Sequence, residues 1–493
     1  MGPIKDELGL EQGGPSSSDY YKLYSNENLV NAQKSRQGIN IPNSGVISAV
    51  GLADDTILAA NKLSKLNNIL FLTTNYCQKY GVTLSHEKTK LLKISNIKHT
   101  DVNHEVYNPI CIDGHPISFS KEAEHVGVIR SSERGNLPHL LNRISSHRKA
   151  MGSTLSSGIA QKSRANPVVG LRLEKVYGLP VLCSGVSVLF LSGSEISLIE
   201  KHLKCTYQNI QKLLPDTPRS VIHFLSGSLP GEAVIHLRML GIFGMVARLT
   251  GDPLQIHARN ILTTAKSSLK SWFIQIRNIC LKYDLPHPLI ILDTQPDKKT
   301  YTKLINSKVI SYWEKRLRGE AALLSSLIYF KPEFMSLKDP HPIWSTAGSN
   351  PYEISKAIQQ ARFLSGRYRT ESLTKHWSMN REGFCQSPTC NSVVETVEHI
   401  LIHCRAYTSC KKSLYSLWVS TPNPIVLGLV LEALSSETAY LLQFILDCSV
   451  LPTVINATQK YGFMILEELF YLTRTWCFSV HKQRLMMLGR WKY

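Results

Sequence analysis

The chain has 493 residues, 43% of them hydrophobic, which is enough to bury several cores and suggests roughly two to four domains. Its 56 Lys and Arg against 37 Asp and Glu leave a formal charge of +19, which favours a polyanionic partner, whether nucleic acid or an acidic membrane surface. Eleven cysteines are too sparse for a disulfide scaffold, and three fall in one short cluster, the distribution of metal ligands in a reducing compartment.

In chain order, residues 1–15 carry Asp6, Glu7 and Glu11 and no apolar run, which excludes a secretory signal and leads us to expect an intracellular protein, nuclear or cytoplasmic. Residues 1–44 are polar and rich in Gly, Pro, Ser and Asn, and read as loop with short helical pieces. Two β-prone runs, 46–52 and 56–60, are separated only by Ala53, Asp54 and Asp55, a tight hairpin with two acids at its tip. Over 62–80, Leu63, Leu66, Ile69, Leu70, Thr73, Tyr76, Cys77 and Tyr80 repeat at helical spacing, with Gly81 placed to end the helix and a strand at 82–84 to follow. Residues 91–128 read as short strands with turns at Asp113-Gly114 and His115-Pro116, and 124–129 as a second hairpin.

Beyond Leu137 the pattern becomes mainly helical, through 145–151, 171–177, 195–214 and 232–250. The longest apolar stretch, 176–193, is interrupted by Gly178, Pro180, Ser184, Gly185 and Ser187, so it reads as core rather than as a span of about 20 residues, and no membrane partner is expected. Segments 293–299 and 338–351, rich in Pro, Asp and Ser, separate a middle helical block from a carboxyl-terminal one. A last helix over 454–488 ends in a basic tip of Lys482, Arg484, Arg490 and Lys492 beside Trp491 and Tyr493.

Two-metal nucleotidyl transfer needs carboxylates that hold Mg²⁺ ions about 4 Å apart, and Asp54-Asp55 between apolar strands supplies such ligands on a rigid support. A lone Asp pair in a turn is more often simple turn chemistry. Here it stands in Gly51-Leu52-Ala53-Asp54-Asp55-Thr56, followed by a helix, Gly81-Val82-Thr83-Leu84 and Lys88-Thr89-Lys90. That order resembles the catalytic turn, following helix and lysine-bearing loop of non-LTR (LINE-type) retrotransposon reverse transcriptases.

Upstream, Gly9-Leu10-Glu11-Gln12-Gly13-Gly14-Pro15-Ser16-Ser17 is similar to the family's Gln-Gly loop, which assigns template and nucleotide contact to Gln12 and Gly13. The resemblance also makes Lys88 the proton donor to pyrophosphate, and Val126 and Gly127 part of a primer grip within Glu124-His125-Val126-Gly127-Val128. The chain departs from the family in three places. His125-Val126 replaces the usual aromatic-Leu pair, Ser85 stands where Asn is usual, and only eight residues precede Gly9. The strand bearing another catalytic aspartate and the fingers are thus missing, and the expectation is a chain truncated at its amino terminus, with weak or no polymerase activity.

Leu137, Leu140, Leu141 and Ile144 share a helix face, with Arg143, His147, Arg148 and Lys149 largely elsewhere on it. That suits a thumb helix following the phosphates of a template–primer duplex through Arg143, Arg148 and Lys149, and equally a core helix with a solvated basic face. Cys385-x4-Cys390-x8-His399-x4-Cys404 offers three thiolates and an imidazole, a complete tetrahedral set for a structural Zn²⁺, with His403 and Cys410 as alternative ligands. Around it, Leu364-Ser365-Gly366-Arg367-Tyr368 and Glu395-Thr396-Val397-Glu398-His399-Ile400-Leu401 resemble the zinc-binding region that follows the thumb in the same proteins.

The expected protein is α+β. It has a partial right-hand palm of antiparallel sheet plus helix over 1–135, a helical thumb over 136–290, linker and helices over 291–360, a CCHC zinc knuckle over 361–415 and terminal helices over 416–493. The resemblance implies an RNA-directed DNA polymerase-like protein with RNA template, DNA primer or target and dNTPs as partners and Mg²⁺ as cofactor. The alternative is a non-catalytic nucleic-acid-binding remnant.

Overall fold

The computed structural model describes residues 17–41, 45–52, 54–94, 110–156, 165–264, 266, 269–375 and 382–489. Among them helices dominate, and the named strands form four separate two-stranded antiparallel ribbons, an α+β composition. The basic tip at Arg490, Trp491, Lys492 and Tyr493 lies outside the described residues. Packing divides the chain into two units. One comprises Met1–Arg143, Ser184–Leu191 and Met239–Tyr301, and the other Ile144–Cys183, Ser192–Arg238 and Thr302–Tyr493.

The first unit opens with an 18-residue helix, α1 (Ser17–Lys34), where the sequence predicts mostly loop. The helix carries no apolar stripe: Tyr20 and Leu23 are exposed, and of its described side chains only Ala32 is fully buried. Tertiary contacts specify it instead. Tyr24 stacks edge-on against Tyr80 and donates from its hydroxyl to Tyr80 O at 2.8 Å, while Tyr80 donates to Glu27 at 2.6 Å and Tyr76 to Tyr24 O.

Strand β1 (Ile39–Ile41) pairs with β2 (Gly45–Ile47), and β3 (Ala49–Leu52) with β4 (Asp55–Leu58). The single run expected over 46–52 is therefore broken, and the break is at Ser48, which is fully buried. Its N–H donates to Gln33 of α1, its hydroxyl accepts from Gly38, and its carbonyl accepts from Ala59, so one serine ties both ribbons to the helix. Gly38 cannot be enlarged there, because a Cβ would lie 2.1 Å from Ile47 O.

Helix α2 (Leu63–Lys79) follows the predicted face, burying Ile69, Leu70, Thr73, Tyr76 and Cys77. Gly81, at φ +69°, ends it as expected, with Val82 N–H donating to Cys77 O at 2.8 Å in a Schellman arrangement. Residues 82–84 form no strand, since no neighbouring strand offers them a ladder among the described residues. Leu84 instead packs on the core of Leu70, Ile110, Ile112 and Ile117. Strands β5 (Cys111–Ile112) and β6 (His115–Pro116) turn at Asp113 and Gly114 alone, both at positive φ, so His115-Pro116 is strand rather than a second turn. Strands β7 (Glu122–His125) and β8 (Val128–Ser131) form the expected second hairpin.

Helix α3 (Leu137–Ser156) is longer than its predicted core. Leu140 and Ile144 are buried as expected, but Leu141 is 43% exposed and His147 is 1% exposed. The inward face is therefore rotated toward His139, Ile144 and His147, because a buried carboxylate, Glu174, claims His147. In the second unit, α4 (Pro167–Leu173) runs into a π-turn, Glu174–Gly178, which the sequence had as continuous helix. Gly193–Ile210 begins at a capping box between Ser192 and Glu195, close to its predicted start.

The predicted last helix is two helices, Pro452–Tyr461 and Phe463–Met487, because Gly462 at φ +94° and ψ 172° cannot continue the helical turn. Phe463–Met487 is the hub of this unit. Trp476 donates to Leu401 O at 3.1 Å, Trp418 packs on Trp476 and donates to Leu472 O, and Gln360 bridges Ile445 O and Thr473. The stretch Thr438–Tyr461 has the length and composition of a membrane span, but it is broken at Cys448–Val450 and 61% of the apolar window is buried in this core. All eleven cysteines are free.

Two histidines make this unit acid-sensitive. Burial, reinforced by His147 and Arg148, holds His202 at about 4, and burial with Arg362 and Arg484 nearby holds His481 at about 4. Both values lie below the ordinary 6.5, so the folded state prefers the neutral rings. The stability each contributes is complete above pH 6.5 and is lost as the pH falls toward 4, by at most on the order of 3 kcal/mol each. We expect urea midpoints to fall between pH 7 and about 4.5, and His202→Gln with His481→Gln to flatten that decline. An unchanged slope in the double variant contradicts this assignment.

Candidate functional site

The region around residues 385–404 is built to bring four side chains together. Cys385 is held by its N–H donating to Val393 O at 2.8 Å, next to the Phe384–Val394 bridge. Cys390 closes a 3-10 turn, Pro388–Cys390, that Ser387 caps through Thr389 N. Asn391 and Ser392, both at positive φ, then reverse the chain. His399 opens a single π-turn, His399–His403, and Cys404 follows it, its N–H donating back to His399 O at 2.6 Å.

Cys385, Cys390, His399 and Cys404 are all buried, and their ligand atoms lie within 4.8 Å of one another, so the group could hold a metal ion. The Cys385–Cys404 and Cys390–Cys404 sulfurs are 3.8 and 3.6 Å apart, far longer than a disulfide. His399 Nε2 is buried without a hydrogen-bond partner, an orphan that an ion in this position would satisfy. His403 is exposed beside Glu398 and Cys410 is half-buried outside the group, so neither alternative ligand joins it.

The electrostatics suit a metal that displaces protons. Burial pushes Cys404 up to about 12 and raises Cys385, while for Cys390 the Arg405 amide and the neighbouring thiols outweigh burial and hold it low. Backbone amides of Ser387 and Ala406 hydrogen-bond Cys385 and Cys404 and favour their thiolates. Burial also lowers His399, which keeps its ring neutral and able to ligate. Lys411, itself 6% exposed, donates to Ile402 O and Cys404 O and places a cation beside the sulfurs.

The second sequence-defined site is the acidic hairpin. Leu52 pairs with Asp55 at the end of the β3–β4 ladder, and Asp54 and Asp55 are both exposed there, while Ala53 lies outside the described residues. Gly51 faces Leu29 of α1, and Tyr21, raised by burial first and then by the Asp54 charge, lies on the same helix. Among the described residues no third His, Cys or carboxylate joins the two acids in a metal-sized cluster. Lys88 is exposed in the turn that Ser85 and Thr89 close. Gln12 and Gly13 lie outside the described residues.

Val126 and Gly127 form the β7–β8 turn at φ 50° and 72°. A β-branched residue in that region is uncommon and costly, so the turn stores strain at its exposed tip. On α3, Arg148 and Lys149 are exposed, and Arg143 is half-buried with Nε unpaired.

Sequence reading misses one buried cluster altogether. His147 Nε2 lies 2.9 Å from Glu174 Oε2, and His147 Nδ1 lies 2.8 Å from His202 Nε2, with each of the three residues at least nine-tenths buried. Their separation along the chain hides them. Gly178 is the only local trace, since a Cβ there would sit 2.1 Å from Glu174 Oε2 and 2.9 Å from His147 Nε2. Scans of family models and of curated proteins find no match to this chain.

Proposed function

We propose that this chain is a polymerase-like, nucleic-acid-binding protein of the LINE-type reverse-transcriptase class, with at most weak nucleotidyl transfer of its own. The observation that carries the reading is the β3–β4 ribbon that offers Asp54 and Asp55 to solvent, between α1 and α2 in the chain. Mg²⁺, when bound to such a pair, aligns a primer hydroxyl with an incoming triphosphate. Asp54 and Asp55 would bind and orient it, and Lys88 would supply the proton to pyrophosphate. The formal charge of +19 and the exposed Arg148 and Lys149 support a polyanionic partner.

The Cys385, Cys390, His399 and Cys404 group is proposed as a closed structural zinc site. Tetrahedral Zn–S bonds of about 2.3 Å set sulfurs about 3.8 Å apart, close to the spacings found here. Four protein ligands leave no position for substrate, so the metal's role is to fold the ligand loop.

With Mg²⁺, dNTPs and a primed RNA template, the purified protein should extend the primer slowly. Asp54→Ala with Asp55→Ala should cut that extension by about 100-fold or more, while RNA retention stays as it was. Extension that survives the double substitution removes the polymerase assignment. A second reading, binding without catalysis, is favoured by the absence of a third acid beside Asp54 and Asp55 among the described residues. Its signature is salt-sensitive RNA retention without any extension.

A further inference from the structure

A cavity of about 450 Å³ lies within the second unit, lined from α3, α4, Gly193–Ile210 and Pro351–Leu364. That is the size of a small-ligand site. Arg148, Lys212 and Arg362 line it, and among the described lining residues there is no Asp or Glu. The carboxylate just behind the wall, Glu174, is taken up by His147 at 2.9 and 3.0 Å, and the sequence from Arg148 to Leu173 contains no acid. Among the described lining residues, no carboxylate stands beside Arg148 and Lys212 to cancel their charge.

One of these cations is held in place. Arg362 donates from Nε and Nη2 to Lys212 O at 3.0 and 2.8 Å, which fixes the guanidinium against the turn after Gly193–Ile210. Lys212 itself occupies the left-handed region at φ 54°. The lining also includes apolar Met151, Ile210 and Ile358, and Gln359, whose Oε1 is buried without a hydrogen-bond partner. Fixed cations recognise phosphate oxygens, apolar walls accept a planar ring, and an unpaired amide oxygen accepts from a ring amine.

We propose that this cavity binds a nucleotide through its phosphate, whether a free mononucleotide or the 5′-phosphorylated end of an RNA strand. None of its residues belongs to the acidic hairpin, and Lys212 and Arg362 lie outside the α3 face proposed to follow a duplex, so Lys212→Glu tests this site separately from primer extension.

Calorimetric titration of the full, zinc-loaded chain tests it with AMP, adenosine, and a short RNA carrying either a 5′-phosphate or a 5′-hydroxyl. AMP or the phosphorylated RNA should bind at least about tenfold more tightly than its phosphate-free counterpart. Arg148→Glu and Lys212→Glu should each weaken that binding about tenfold or more, with the urea midpoint unchanged because both side chains are exposed. AMP binding identifies a free nucleotide as the source, and binding of phosphorylated RNA alone identifies a strand end. Equal binding of the phosphate-free probes, no binding of any probe, or charge reversals without effect would each overturn the proposal.

Discussion

Cys404→Ser should empty the metal site and destabilise the second unit by about 5 kcal/mol or more. Cys404 is the sulfur shared by both short S···S distances, and it is 1% exposed, so a serine there leaves two thiols and an imidazole around a buried polar gap. Elemental analysis should find a zinc ion in the parent chain and none in the variant, and the urea midpoint should fall in step. Metal binding must displace protons from thiols that burial holds up, about 12 for Cys404, so zinc affinity should rise with pH and acid should release the ion. A Cys404→Ser chain that keeps its zinc and its midpoint contradicts the site.

The second large effect is expected at Arg484→Met, which should cost about 3–5 kcal/mol. Glu395 is 0% exposed and Arg484 3% exposed, and the guanidinium forks onto both carboxylate oxygens, from Nε at 3.0 Å and from Nη2 at 2.7 Å. The Glu371 amide donates to the same carboxylate at 2.7 Å. Removing Arg484 alone strands the Glu395 charge in the core. Adding Glu395→Leu should restore most of the loss, because two apolar side chains can replace a buried ion pair at little cost. Urea unfolding of the two single variants and the double variant decides it, and losses that simply add would show the residues acting separately.

This pair also explains how the ligand loop is held. Glu395 N–H donates to Gly383 O, Glu395 O accepts from Ser372, and Arg484 belongs to the hub helix Phe463–Met487. The loop that carries Cys385, Cys390 and His399 is thereby tied to this central helix before any ion binds.

Local signals were legible wherever a residue's own chemistry decided its conformation. Gly81 had to end α2, Asp113-Gly114 had to turn, and the apolar repeat of 62–80 had to bury Ile69, Leu70 and Tyr76. The spacing of Cys385, Cys390, His399 and Cys404 gave the ligand set, and the structure then excluded His403 and Cys410. Where the reading failed, the cause was distant in sequence. Helix α1 depends on Tyr76 and Tyr80, more than 50 residues away, and Ser48 breaks a strand because Gln33 of α1 and Gly38 before β1 claim its polar atoms.

By itself, then, the sequence determined a basic, largely helical chain with an acidic hairpin at Asp54 and Asp55 and four metal-ligand types in one short segment. Those features depend on charge, turn chemistry and periodicity, which act over a few residues. Only the tertiary structure decided that His147, Glu174 and His202 meet, that Arg484 neutralises Glu395, and that Arg148, Lys212 and Arg362 share a cavity. Burial sets those partnerships: once water is excluded, each polar group must take whatever partner packing brings to it, however remote in the chain.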